Sequence, residues 1–159
     1  MKTLNEIGKK YLPSKIQHNY LEIMDLHLNP IREKANKVLE IGVQTVNSVK
    51  MWEEYFPNAE IYGFDIDFKC KKFEQGRIKI IIGDQDNISS LEKIPSDLDV
   101  IIDDGSHVES HVIKTLNYLY KNRLKLGGIY LIEDMLLSQN KNLFNLIMDF
   151  NNGMNYWPS

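Results

Sequence analysis

Cysteine is nearly missing from this 159-residue chain: Cys70 stands alone, so no internal disulfide can form and no thiol pair exists for a structural zinc. Such usage fits a reduced, cytoplasmic setting. Long apolar runs are missing as well. No segment approaches the roughly 20 residues that a membrane span needs, and the opening MKTLNEIGKKYLPSK has no apolar core of the signal-peptide kind. Charge of one sign is not in excess, with a formal net charge of −3 and 26% charged residues. The nearest basic clusters, Lys69–Lys72 and Lys121–Lys125, are short and fall on expected solvated helix faces. Neither a nucleic-acid partner nor a membrane is therefore expected. The fingerprint G-x-G-x-x-G is also lacking, which ranks a nicotinamide-dependent oxidoreductase last among the readings considered.

What is present is a regular alternation over a length suited to one domain, 1–159. Residues 1–34 read as a helical N-terminal extension. Leu4, Ile7 and Tyr11 recur at helical spacing before Pro13 interrupts, and a second helix runs from about His18 to Arg32. Tyr11, Ser14, Lys15, His18 and Tyr20 would form a polar and aromatic cluster between these two helices, as a lid; His18 and His27 are otherwise read as structural or surface residues. From residue 35 the order is strand Val38–Val43, helix Ser48–Phe56, strand Glu60–Asp65, short helix Phe68–Gln75 and strand Ile78–Ile82. A helical turn Ile88–Lys93, strand Leu98–Asp103, helix His107–Arg123, strand Ile129–Ile132 and helix Leu143–Phe150 follow. Strands alternating with helices through short loops predict right-handed crossovers and a parallel sheet covered on both faces.

The chemistry collects at the strand tips. The apolar run Leu98–Ile102 reads as a fully buried strand that stops in Asp103-Asp104, turns at Gly105, and offers Ser106 as a cap for a helix beginning near His107. Glu40 and Gly42 end the first strand, Asp65 the second, Asp84 follows the third, and Glu133-Asp134 end the fifth. In an open α/β sheet, ligands bind beyond the carboxyl ends of the strands. Gly42 followed by Asp65 on the next strand fits a nucleotide, whose backbone approach needs glycine and whose ribose needs an acid.

Five blocks in order, VLEIGV, MWEEYFPNAEIYGFDID, RIKIIIGDQ, DVIIDDGSH and GGIYLIED, resemble the class I S-adenosylmethionine-dependent methyltransferases. More narrowly, they are similar to the metal-dependent O-methyltransferases of macrolide sugar tailoring and the related cephalosporin-hydroxylase-like group, from about Tyr11 to Asp134. The resemblance implies a Rossmann-like doubly wound sheet of strand order 3-2-1-4-5. It places Glu40 and Gly42 in the S-adenosylmethionine loop, Asp65 on the ribose, Asp84 and Gln85 near the adenine, and Asp103 near the methionine amino group. It matches Asp104, Glu133 and Asp134 to ligands of a divalent cation, and His107 to the base that deprotonates the acceptor, with His111 one helical turn on.

The residue chemistry agrees. Tips of adjacent strands lie roughly 4.8 Å apart, and three carboxylates there need a cation or a shared proton. Oxygen ligation favours magnesium or another hard dication. Such an ion would acidify an acceptor hydroxyl near the sulfonium methyl, and an imidazole titrates near neutral pH. The reaction expected is metal-assisted O-methylation of a sugar or other small hydroxylated acceptor.

Two departures from the family pattern matter. After Gly42 the loop runs Val43-Gln44-Thr45-Val46-Asn47 where further glycines would be expected. Val46 tolerates positive φ poorly and its side chain needs space that glycine leaves to the cofactor, whereas Asn47 can turn left-handed. Only 25 residues, 135–159, follow the fifth strand, too few for the usual sixth and seventh strands. Either the sequence is shortened, or the edge beside the fifth strand is open and needs cover from Tyr156-Trp157 or a second subunit. These departures support an alternative: a methyltransferase-like binding or regulatory protein without catalysis.

Overall fold

A computed structural model describes residues 1–11, 20–135 and 139–151. Ser14, Lys15 and His18 of the expected inter-helix cluster, and Tyr156-Trp157, lie outside the described residues.

The elements are α1 (Leu4–Tyr11), α2 (Tyr20–Leu28), β1 (Lys37–Ile41), α3 (Asn47–Tyr55), β2 (Glu60–Asp65), β3 (Ile78–Ile82), α4 (Ile88–Leu91), β4 (Leu98–Asp103), α5 (Glu109–Asn122), β5 (Leu124–Ile132) and α6 (Lys141–Asn151). All five strands are parallel, in the order β3-β2-β1-β4-β5. This is the Rossmann-like sheet that the alternation and the resemblance predict. Among the described residues no strand lies outside β5.

Strand periodicity divides the core. Val38, Ile61, Ile80, Val100 and Ile102 face α1–α3, where Leu4, Ile7, Leu28, Trp52, Tyr55 and Phe56 are fully buried. Leu39, Ile41, Phe64 and Ile101 face the other way, toward Leu91 and Leu119 of α4 and α5. Leu143 of α6 packs on Val112 and Leu116 of α5. The N-terminal helices are therefore part of the core on one face, more than the separate lid the sequence suggests. Arg32 fastens them: its guanidinium donates to the carbonyls of Tyr55 and Lys2.

Several boundaries differ from expectation, two of them with a visible backbone cause. Helix α5 starts at Glu109 because His107 takes φ +55°, and its cap residue Val108 has no side-chain bond. The β5 residues Lys125–Gly128 bulge out of register, since Leu124 pairs with Leu98 and Ile129 with Val100. No helix among the described residues is long and apolar enough to cross a membrane.

Candidate active site

Every strand tip that carries chemistry ends on the same rim. The ladder there continues one step past β1, β4 and β5. The Asp104 amide donates to the carbonyl of Ile41 (3.0 Å) and the Glu133 amide to that of Asp103 (2.9 Å). This aligns the two acidic tips without any long reach. Beyond the rim opens a cavity of about 510 Å³, walled by Gly42–Thr45, Asp65, Asp84, Gln85, Asp104, His107 and Asp134 among others.

The β1–α3 loop holds its shape without the expected glycines. Gly42 takes φ +87°, and a Cβ there would meet the Asp104 carbonyl oxygen at 2.0 Å. Gln44 takes the second left-handed position, φ +43°. Asp65 stabilises the turn by accepting from the amides of Val43 (2.8 Å) and Gln44 (2.9 Å). Val46 is helical (φ −67°) and packs against the core, and Asn47 already belongs to α3. Neither needs positive φ, and neither lines the cavity. The obstruction expected of Val46 is absent because the loop turns one residue pair earlier.

Two residues assigned to the cofactor sit behind the wall. Glu40 is fully buried on the α3 side, accepting from Ser48 Oγ (2.6 Å) and Trp52 Nε1 (3.1 Å). It braces the start of α3 and does not line the cavity. Asp103 is 1% exposed, and strand alternation turns it to the α5 side. There it accepts from Gln85 Nε2 (2.8 and 3.0 Å) and Tyr130 Oη (3.3 Å). Gln85 also accepts from the Ser106 amide at 2.9 Å, so its side chain ties the β3 and β4 loops together. Asp84 and Asp65 do face the cavity.

Burial raises the Asp103 pKa to about 6 from the ordinary 3.8, against the lowering by Gln85, Gly105 and Tyr130. Because the folded state then holds a proton that the unfolded chain has released, this group costs stability as pH rises through about 4 to 6. At 1.36 kcal/mol per unit, the cost approaches roughly 3 kcal/mol. Asp103→Asn should abolish this slope, measured as the change in urea midpoint between pH 4.5 and 6.5; an unchanged slope would refute the assignment.

The ionisable cluster at the rim is Asp104, His107 and Asp134, whose candidate donor atoms lie within 4.8 Å of one another. His107 Nε2 stands 3.8 Å from Asp104 Oδ1. Glu133, expected in this set, is 5% exposed and outside the cluster. It faces a second cavity of about 430 Å³ whose walls include Tyr20, Ile23, Met24, Leu131, Asp134 and Met135. Asp134 borders both cavities. Both His107 and Asp134 adopt φ +55°. Left-handed geometry is costly for such residues and marks sites where the surroundings over-determine the backbone.

Sequence reasoning did not join Tyr20 to this site, and it did not foresee the partners of His111. Tyr20 Oη donates to Asp134 Oδ1 (3.0 Å), which raises the tyrosine pKa. Ser106 Oγ contacts His111 Nδ1 (3.1 Å), whose Nε2 lies 3.8 Å from Asp86. His111 is thus oriented toward Ser106 and Asp86 and is not a member of the Asp104 cluster.

The donor set suits a hard dication: two carboxylates at close range repel unless a positive charge intervenes, and carboxylate oxygens prefer magnesium, manganese or calcium.

No family model matches the chain. It is 34% identical over 131 residues to an 8-demethyl-8-alpha-L-rhamnosyl tetracenomycin-C 2'-O-methyltransferase of Streptomyces olivaceus, covering 76% of this chain and 34% of the relative. It is 35% identical over 144 residues to the mycinamicin VI 2''-O-methyltransferase of Micromonospora griseorubida, covering 83% and 36%. The chain thus spans about a third of the length of the curated relatives it matches. Among solved structures, the MycE methyltransferase of the mycinamycin pathway, in complex with Mg and SAH, superposes with a TM-score of 0.78 at 32% identity. That superposition covers 99% of this chain and 41% of the other. Fibrillarin of Aeropyrum pernix shares the fold alone, at a TM-score of 0.60 and 16% identity over 77% of this chain and 59% of its own.

Proposed function

Because this chain has the class I S-adenosylmethionine-dependent methyltransferase fold and is a homologue of the sugar O-methyltransferases of macrolide and tetracenomycin pathways, we propose that it is a metal-assisted O-methyltransferase. Its donor would be S-adenosylmethionine and its acceptor a sugar or other small hydroxylated molecule. The observation that carries this reading is that Asp134, which borders both cavities, clusters with Asp104 and His107 on the wall of the larger one.

The larger cavity takes the cofactor. Gly42 lines it and lets the β1 and β4 tips close together, Asp65 and Asp84 offer carboxylate oxygens to the ribose and adenine, and Gln85 holds the wall. The second cavity takes the acceptor against Ile23, Met24 and Leu131. Asp104 and Asp134 would hold the cation, Mg2+ or another hard dication, with Glu133 as a further carboxylate in the same loop. That ion, when bound, supplies the positive charge that acidifies the acceptor hydroxyl. His107 takes the hydroxyl proton at its imidazole nitrogen. The acceptor oxygen forms a bond to the methyl carbon as the carbon–sulfur bond breaks, releasing the methyl ether and S-adenosylhomocysteine. Both reacting molecules are held at one junction, which converts the encounter into an intramolecular one.

Calorimetry with S-adenosylhomocysteine, with and without magnesium, tests the assignment. Binding to the wild type and its loss when a bulkier residue closes the cavity, as in Thr45→Trp, are expected. No heat at millimolar product would overturn it.

A further inference from the structure

We propose that Tyr20 is a positioning residue for the cation-binding carboxylate Asp134, an inference that rests on the proposed function above. Tyr20 opens α2 and is 114 residues from Asp134, yet its hydroxyl donates to Asp134 Oδ1 at 3.0 Å. The helix behind it is fixed, since Leu21, Met24 and Leu28 are buried in the core. Asp134 by contrast follows the end of β5, in a left-handed conformation that no helix or strand ladder maintains.

A carboxylate has two oxygens with separate lone pairs. Tyr20 engages Oδ1 from the side of the second cavity, which it lines together with Asp134. A carboxylate oxygen of Asp134 also lies within 4.8 Å of the donor atoms of Asp104 and His107 at the rim. Partners that hold a ligating carboxylate in this way set its rotamer, and their removal weakens metal binding about 10- to 100-fold. The same contact joins α2 to the strand tip, so the N-terminal helices take part in building the site as well as the core.

The test is a manganese(II) titration of the full chain, read by the paramagnetic resonance signal of free Mn2+. The proteins compared are wild type, Tyr20→Phe and Leu26→Ala. Phenylalanine keeps the ring against the cavity wall and removes only the donor. Leu26 is 73% exposed on the same helix and away from both cavities. Tyr20→Phe should bind Mn2+ at least 10-fold more weakly, with an unchanged melting temperature and unchanged affinity for S-adenosylhomocysteine. Leu26→Ala should bind Mn2+ as the wild type does. Equal affinity of Tyr20→Phe and wild type overturns the proposal, and so does an equal loss in Leu26→Ala, which would trace the effect to helix placement. Failure of the wild type to bind Mn2+ overturns this inference and the cation assignment together, whereas failure confined to the variant comparison leaves that assignment standing.

Discussion

Replacing His107 by asparagine should lower turnover about 10²- to 10⁴-fold, the range for loss of a general base, while leaving the affinity for S-adenosylhomocysteine nearly unchanged. The imidazole lines the cofactor cavity at its rim, 3.8 Å from Asp104, and its side chain is 40% exposed. It stands beside Asp134, which borders both cavities, and so can meet an acceptor placed next to the cofactor. Asparagine is the informative replacement because position 107 has φ +55°, a conformation that asparagine adopts more readily than alanine does. Steady-state rates at saturating donor, with binding measured separately by calorimetry, separate the two roles. Parallel losses of turnover and cofactor affinity would make His107 a structural element of the loop.

The largest stability effect is expected from Gly42→Ala. Its Cβ would lie 2.0 Å from the carbonyl oxygen of Asp104 and 2.7 Å from the carbonyl carbon, both backbone atoms. They cannot retreat cheaply, because the Asp104 amide is bonded to the Ile41 carbonyl at 3.0 Å in the same rim. The φ of +87° adds a penalty of about 1–2 kcal/mol for any L side chain, and overpacking adds about 1–3 kcal/mol. A loss of about 2–5 kcal/mol is expected on these two grounds. Urea unfolding measures it, and S-adenosylhomocysteine binding should fall in parallel, since the alanine would part the β1 and β4 tips that form the cavity floor. A variant as stable as the wild type would mean that the rim is looser than its hydrogen bonds indicate.

The alternative of a non-catalytic protein drew in part on the loop Val43–Asn47, and that part of its motivation is removed by the backbone there. A pattern of missing glycines shows which residues are unsuited to positive φ, but not which positions require it. Here the left-handed turn falls on Gly42 and Gln44, leaving Val46 helical with its side chain toward the core. The β2 carboxylate of Asp65 holds this turn by accepting hydrogen bonds from two backbone amides, where extra glycines would do so by conformational freedom.

The sequence by itself determined the alternation of strands and helices, the parallel sheet, and the crowding of Asp65, Asp84, Asp104, His107 and Asp134 at one end. Apolar runs stopping in acidic residues are local features, and an open parallel sheet has one chemically useful edge. Only the tertiary structure decided which of those carboxylates face the cavity. Neighbouring residues on a strand point to opposite sides, so a one-residue difference sends Asp103 into the α5 layer and Glu40 beneath α3, while Asp104 turns to the rim. It likewise decided that Tyr20 reaches Asp134 and that His107 stands in a left-handed turn, because contacts across 114 residues and the sign of one backbone angle depend on how the layers close around the sheet.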